Sequence, residues 1–161
     1  MPLGDQGAET GGVMTSLEKM LIKQEALRLR TYRCTAGKLT IGIGHNLDAN
    51  PLPGFYEDMP PITNEVAMKI LADDIDACRQ ECVKTFLFFN SLDSVRQDAL
   101  INLCFNMGMH VLLQFKNTLK AIADHRWEDA DKGLESSLWA KQVGKTRSGE
   151  IRHMILTGTY P

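Results

Sequence analysis

Strand-like alternation occurs in only one short stretch of this 161-residue chain, and the rest is patterned as loop and helix. Apolar and polar residues alternate over residues 27–33 and again over 39–45, and a turn-forming Cys-Thr-Ala-Gly-Lys sequence separates the two runs. In the second run one face is apolar, and the other carries only Thr40, Gly42 and Gly44. The pattern predicts a single β-hairpin whose bare glycines mark the close approach of a ligand or another backbone.

The segment before the hairpin predicts a short helix that ends in a carboxylate. Thr15 and Glu18 form a capping-box sequence, and the apolar residues that follow predict a helix from about residue 16 to 26. The apolar side of this helix, extended by one turn, includes Glu25. Enzymes keep general acids protonated in such half-buried positions. From spacing alone, a salt-bridged structural glutamate is the simpler interpretation.

Beyond the hairpin the chain is predicted to be loop and helix. Four of the six prolines lie within residues 46–62, which indicates an irregular connection. Thr63 then caps a helix that runs to about residue 82 and spans about 30 Å, long enough to bridge two lobes. Further helices are predicted over residues 93–107, 111–123, 127–138 and around 151–155. The fold class is therefore α+β and mostly α-helical.

The charge balance excludes some classes of partner. A net charge of −2 argues against binding nucleic acid by bulk electrostatics. Residues 15–45 carry six basic and two acidic side chains, so this part of the chain either faces an anionic polymer or is simply a solvated face. No apolar run approaches the length of a membrane span, and we expect no stable membrane association. Residues 1–13 lack the pattern of a signal peptide and are interpreted as a flexible leader or the remnant of an expression vector.

The four cysteines do not have the spacing of a zinc site, and no cluster suggests a metal or a cofactor. Cys78, Cys82 and Cys104 lie on the apolar stripes of predicted helices and are interpreted as reduced, buried thiols. Cys34 is different, because it ends the first strand of the hairpin while Thr40 begins the second. A thiol and a hydroxyl are thus predicted to flank one small cleft.

The segment LIKQEALRLRTYRCTAGKLTIGIGHNL closely resembles the active-site segment of phage-type lysozymes, glycoside hydrolase family 24. In that family a catalytic Glu is followed, after eight residues, by Asp or Cys and, after five more, by Thr. Glu25, Cys34 and Thr40 satisfy this spacing, and the TIGIGH hexad matches as well. The resemblance continues from Met14 to the terminal LTGTY.

The resemblance implies a two-lobed lysozyme fold over residues 14–161, with a glycan cleft between the lobes. Residues 14–62 would form a small lobe that holds the catalytic helix and the hairpin. Residues 63–82 would form the connecting helix, and residues 83–161 the helical C-terminal lobe. We expect the protein to be a monomer.

The implied activity is that of a muramidase, which hydrolyses the β-1,4 bond between N-acetylmuramic acid and N-acetylglucosamine in peptidoglycan. Glu25 would protonate the leaving oxygen. Cys34 stands where an inverting glycosidase places its second carboxylate, so Thr40 is expected to orient the water while Cys34 serves as thiolate base, electrostatic stabiliser or nucleophile. The stereochemical outcome stays open.

The same resemblance extends to residues outside the hairpin. Phe105, Asn106 and Thr118 are candidates for sugar contacts, and Arg147 resembles the arginine that faces the family's catalytic Glu. His45 is predicted to pair structurally with an acid on the long helix, Asp74, rather than to act in catalysis.

The expected setting is bacteriophage lysis of a host cell, in which an endolysin made in the host cytoplasm reaches the wall after a membrane lesion. Its partners would be peptidoglycan glycan strands. Two alternatives stay open at this point. One is a peptidoglycan-binding module without turnover, and the other is a lytic transglycosylase that needs only one acidic residue.

Overall fold

The computed structural model describes residues 13–161, so all of the expected leader except Val13 lies outside the described residues. The described chain forms eight α-helices and one three-stranded antiparallel sheet, which confirms an α+β, mostly helical class. In chain order the elements are α1 Ser16–Glu25, β1 Leu27–Arg33, β2 Leu39–Ile43, β3 His45–Asn46, α2 Asn64–Thr85, a 3-10 turn Phe89–Ser91, α3 Ser94–Met107, α4 Met109–Leu112, α5 Lys116–Ala123, α6 Trp127–Glu135, α7 Leu138–Val143 and α8 Lys145–Thr157.

The chain divides into two compact units, one ending at Asp74 and the other running from Ile75 to Pro161. Helix α2 contributes residues to both units. It begins one residue after its predicted cap, and the Val66 N–H donates to the Thr63 hydroxyl at 3.2 Å. It ends at Thr85, three residues later than predicted.

In the first unit, α1 is fixed at its start by the predicted capping box. The Glu18 N–H donates to the Thr15 hydroxyl at 3.0 Å, and the Thr15 N–H donates to the Glu18 carboxylate at 2.8 Å. The core of this unit is built from apolar side chains of α1, β2, the residue after β3 and the first half of α2. These are Leu17, Met20, Leu21, Ile41, Ile43, Leu47, Ala67, Ile70 and Leu71.

The sheet differs from the predicted hairpin in two ways. Strands β1 and β2 pair antiparallel, but the register shifts between Arg28 and Tyr32. The second strand was predicted to continue to His45, yet it ends at Ile43, directly before Gly44, whose φ is 67°. After Gly44 the chain folds back as β3, which pairs antiparallel with β2.

The second unit is helical throughout its described residues. Helix α3 is its centre, with six consecutive buried residues from Ala99 to Cys104, as expected for a helix surrounded by protein on all sides. Helices α6 and α8 also supply core side chains, including Ala130, Leu134, Ile151, Met154 and Ile155.

Two of the helices predicted from the sequence are each interrupted. The helix predicted over residues 111–123 is wrong as one element, because α4 ends at Leu112 and α5 begins at Lys116. The helix predicted over residues 127–138 ends at Glu135, and Ser137 then caps α7 by accepting the Ala140 N–H at 3.2 Å. Apolar spacing continues across both breaks, so periodicity alone could not reveal them. Among residues 13–161, no helix combines the length and the apolar character needed to span a membrane.

Candidate active site

Glu25 is the last residue of α1, and the backbone turns sharply directly after it. Ala26 has φ 63° and ψ 146°, a conformation that residues other than glycine rarely adopt. Its N–H still donates to the Ile22 carbonyl at 2.9 Å, which closes the final turn of the helix. The reversal leads at once into β1 and leaves the Glu25 side chain beside the sheet.

The Glu25 carboxylate packs directly against the backbone of Gly44. A Cβ atom placed on Gly44 would lie 2.8 Å from Glu25 Oε1 and 3.0 Å from its Cδ, which is closer than real Cβ contacts allow. Position 44 therefore has room for no side chain. The sequence predicted that a ligand or another backbone approaches these glycines, whereas the group that lies against Gly44 is the side chain of Glu25.

Cys34 and Thr40 lie together at the turn between β1 and β2. The turn is closed by the Cys34 N–H, which donates to Lys38 O at 3.0 Å, and by the Gly37 N–H, which donates to Cys34 O at 2.8 Å. The Thr40 side chain is buried, and its hydroxyl donates to Lys38 O at 2.8 Å. The Thr40 hydroxyl also hydrogen-bonds to the Cys34 thiol, so the two groups lie next to each other, and the small cleft that they were predicted to flank stays a prediction.

The turn favours the ionised form of Cys34. A hydrogen bond from the Lys38 backbone, joined by others from the Ala36 backbone and the Thr40 hydroxyl, lowers the pKa of the Cys34 thiol against a smaller opposing effect of desolvation. The Thr40 hydroxyl has one proton, so it serves either Cys34 or Lys38 O at a given moment. The thiol is only partly exposed.

Tyr32 belongs to the same group of side chains, and the sequence analysis did not assign it. Burial raises the pKa of its hydroxyl, the nearby Arg28 guanidinium opposes that rise, and the charges of Glu25 and Cys34 add to it. The Arg28 guanidinium carbon lies 4.4 Å from the centre of the Tyr32 ring. Tyr32 is thus within electrostatic reach of both the acid and the thiol.

His45 has the structural role that the sequence predicted. Its Nδ1 lies 2.7 Å from Asp74 Oδ2, and its Nε2 lies 2.8 Å from the Asn50 carbonyl oxygen. Because both partners accept hydrogen bonds, both ring nitrogens act as donors, as in the imidazolium form. Burial alone would lower the pKa of His45, but the hydrogen bonds to Asp74 and Asn50 outweigh it and raise that pKa.

The predicted site residues of the second unit are each held by a different neighbour. The Asn106 side-chain oxygen accepts from Trp139 Nε1 at 2.8 Å. Thr118 is buried, and its hydroxyl oxygen packs so closely on Gly133 that a Cβ atom at position 133 would clash with it. Phe105, which precedes Asn106 on α3, is partly exposed.

Arg147 lies near the start of α8, with Nη2 3.5 Å from the side-chain oxygen of Asn102 on α3. Asn102 is itself buried among apolar residues of α3. Within residues 13–161, no group of three or more His, Cys, Asp or Glu side chains is arranged to hold a metal ion.

Comparison with known proteins gives a consistent result. The family model described as phage lysozyme matches residues 22–153. The chain is 30% identical to "Probable T4-type lysozyme 2" of Dictyostelium discoideum, in an alignment covering 91% of this chain and 97% of the relative. It is 29% identical to the "Pre-baseplate central spike protein Gp5" of Enterobacteria phage T4, covering 89% of this chain and 28% of that protein. It is 27% identical to the "Peptidoglycan hydrolase gp36" of Pseudomonas phage phiKMV, covering 84% and 15%.

Proposed function

The chain belongs to the phage lysozyme family and is a glycoside hydrolase of the muramidase-like type, and from that membership we propose its bond specificity and its catalytic residues. The proposed reaction is hydrolysis of the β-1,4 bond between N-acetylmuramic acid and N-acetylglucosamine in bacterial peptidoglycan. The observation that carries the proposal is the packing of the Glu25 carboxylate on Gly44. The charges of Glu25 and Cys34 both raise the pKa of Tyr32, so the carboxylate and the thiol are within electrostatic reach of the same side chain.

Glu25 is proposed as the general acid. Breaking the glycosidic bond leaves an alkoxide unless a proton reaches the leaving oxygen, and a carboxylic acid fixed beside that oxygen supplies it. The backbone of Gly44 limits the positions that the carboxyl group can take. A fixed acid serves this step better than a mobile one, because orientation lowers the barrier.

Cys34 and Thr40 are proposed to handle the attacking water. The hydrogen bonds that lower the pKa of Cys34 favour its thiolate, whose negative charge would take the place of the second carboxylate of an inverting glycosidase. The Thr40 hydroxyl, next to that thiolate, orients the water, and the thiolate takes its proton. Negative charge at this place also stabilises the oxocarbenium character that the sugar develops.

The remaining assignments rest on the family resemblance. Phe105, Asn106 and Thr118 are proposed to contact sugars, Arg147 has a supporting role, and His45 supports the sheet through Asp74. We propose that the protein acts as a monomeric endolysin during lysis of a host cell by a bacteriophage or prophage. It would be made in the host cytoplasm and reach the wall after a membrane lesion.

The decisive experiment compares Glu25→Gln with the wild type on purified cell walls. Glutamine keeps the size of the side chain but has no acidic proton, so the clearing rate should fall by about 10²- to 10⁴-fold. Glu128→Gln, a change at an exposed glutamate in the first turn of α6, is the matched control and should clear walls like the wild type. Equal clearing by Glu25→Gln and the wild type would refute the role of Glu25.

Analysis of the released glycans separates the alternative activities. New reducing ends indicate hydrolysis, whereas 1,6-anhydro ends indicate a lytic transglycosylase. Binding to walls without any release of glycan would identify a module without turnover. Only the first result agrees with the proposed function.

A further inference from the structure

Three of the four cysteines meet in the second unit, and none of them is assigned to catalysis. Cys78 and Cys82 are four residues apart and therefore lie on the same side of α2. Both of their thiols hydrogen-bond to the thiol of Cys104 on α3. We refer to Cys78, Cys82 and Cys104 as the thiol trio.

The sequence predicted three reduced, buried thiols that behave as small hydrophobic side chains, and for Cys78 the predicted burial is wrong. Cys82 and Cys104 are indeed buried, with 0% and 5% of their surface exposed, but Cys78 is partly exposed. A small reagent can therefore reach Cys78 without opening the unit. Cys104 lies behind it, within reach of both neighbouring sulfurs.

Two thiols of the trio have pKa values that are shifted in opposite directions. Hydrogen bonds from Cys78 and Cys82 lower the pKa of Cys104 against an opposing effect of burial. The Cys82 thiol, which donates to Cys104 and is buried, has a raised pKa. The sulfur shared by both neighbours is thus the one best able to attack as a thiolate.

We propose that the thiol trio is a redox modification site, at which a small-molecule disulfide oxidises Cys104 and one of its two neighbours to an internal disulfide. All four cysteines of the chain are thiols in this structure.

The step proceeds by thiol–disulfide exchange. The partly exposed Cys78 loses its proton and attacks one sulfur of the reagent, which releases the first reagent thiolate and leaves a mixed disulfide on Cys78. The Cys104 thiolate then attacks the Cys78 sulfur and releases the second reagent thiolate. Two protein thiols are oxidised, one reagent disulfide is reduced to two thiols, and the two protons from the protein end on those thiols. Cys82 can afterwards exchange into the bond and return Cys78 to a thiol.

The bond would join the second half of α2 to α3. It would close a loop over residues 78–104, or 82–104 after the exchange, and a cross-link of that kind restricts the unfolded chain. The second unit would then resist denaturant better in an oxidising environment than in a reducing one. None of these steps uses Glu25, Cys34 or Thr40, so the inference stands or falls separately from the proposed function.

The test is a thiol count on the full-length protein before and after incubation with oxidised glutathione. After incubation and unfolding, Cys34→Ser should lose two of its three titratable thiols, stay monomeric and regain them with dithiothreitol. The substitution is needed because the partly exposed Cys34 of the wild type, whose pKa is lowered, would itself form a mixed disulfide with glutathione. Peptide mapping should place the new bond between Cys104 and Cys78 or Cys82. The oxidised protein should also need more urea to unfold than the reduced protein.

Variants in a Cys34→Ser background make the count specific to the trio. Cys82→Ala should still lose two thiols, because Cys78 and Cys104 both remain. Cys78→Ala should lose its thiols far more slowly, because Cys82 and Cys104 are buried and the thiol that reacts first with the reagent is missing. The double variant and Cys104→Ala should lose none to an internal bond, and circular dichroism checks that each protein is folded. A Cys34→Ser protein that keeps three thiols, a bond that omits Cys104, bonds only between molecules, or thiols protected by added Zn²⁺ would each overturn the proposal.

Discussion

At the scale of single residues, the turn around Cys34 bears on the proposal that a thiol takes the place of a carboxylate. A free cysteine is mostly protonated at neutral pH, which makes it a poor base. Here backbone N–H groups of the turn and the Thr40 hydroxyl stabilise the thiolate, so the local fold supplies what the residue type lacks. The charge is held by a few fixed dipoles and not by a cationic side chain.

This arrangement predicts that Cys34 reacts as a low-pKa thiol. Because its pKa is lowered, the thiolate is present above that pKa and is lost as the pH falls through it. The rate of iodoacetamide modification at Cys34, followed by mass spectrometry across pH, should have its midpoint below the ordinary value of about 8.5. A midpoint at or above that value would contradict the assignment. The fully buried Cys82 serves as the internal comparison and should react far more slowly.

Most residues of the candidate site in the first unit could be predicted from the sequence, but Tyr32 could not. Glu25, Cys34 and Thr40 were singled out because their spacing matches the active-site segment of phage-type lysozymes, whereas spacing alone favoured a structural role for Glu25. Tyr32 joins them across a stretch of the β1–β2 pair where the register shifts. A strict alternation rule assigns side chains to faces by counting in twos, and it fails wherever the register changes.

At the scale of elements, the end of α1 and the end of β2 form one structural unit around the acid. Ala26 holds a backbone conformation that is unfavourable for a residue with a side chain, by about 1–3 kcal/mol. Gly44 holds a positive φ and receives the Glu25 carboxylate on its bare α-carbon. Both local irregularities position the same carboxyl group, so the surrounding packing must stabilise them.

Gly44→Ala should therefore affect catalysis more than the backbone conformation alone explains. The new methyl group would occupy the place of the Glu25 carboxylate, and a displaced acid should lower kcat by about 100-fold. The matched control is Gly54→Ala, since Gly54 has φ 81° and no atom of the described residues lies within 4 Å of the place that its Cβ would take. Both variants should lose about 1 kcal/mol or more of unfolding free energy through the positive φ, but only Gly44→Ala should lose activity. Similar kcat values for the two variants would contradict the tight packing of the acid.

Helix boundaries mark the limit of prediction at this scale. The start of α1, the start of α2 and both ends of α3 were predicted closely, because Thr15, Thr63, Asp93 and Gly108 are strong local signals. The break between α4 and α5 carries no glycine or proline, and its apolar residues continue the helical spacing. Tertiary packing decides such a break, so a single sequence does not reveal it.

At the scale of the whole molecule, a few polar contacts between distant residues tie elements together within each unit. In the second unit, Arg96 on α3 donates to the carbonyl oxygens of Ile155 and Leu156 at 2.7 and 3.1 Å, and the Tyr160 hydroxyl donates to Asp98 at 2.5 Å. These bonds tie the C-terminal end of the chain to the central helix. Their partners are about 60 residues apart, and only the resemblance to a known family could have suggested them.

In the first unit, the pair of His45 and Asp74 ties the sheet to α2, and it makes the stability of the protein depend on pH. The folded-state pKa of His45 is raised above the value of about 6.5 expected in the unfolded chain. The stabilising contribution is therefore complete below about pH 6.5 and is lost as the pH rises through the folded-state pKa. A buried hydrogen bond to a charged group contributes about 2 kcal/mol.

Urea unfolding of the wild type and His45→Gln should measure this contribution directly. The wild type should exceed the variant by about 2 kcal/mol at about pH 5.5, and the difference should shrink by about pH 9, where the imidazolium has lost its proton. His110→Gln replaces an exposed histidine and controls for the loss of a histidine as such. Its free energy of unfolding should equal that of the wild type at both pH values. A difference that stays constant, or grows with pH, would show that His45 is held as the neutral imidazole. Its two hydrogen bonds would then need a different assignment, because a neutral ring cannot donate to both Asp74 and Asn50.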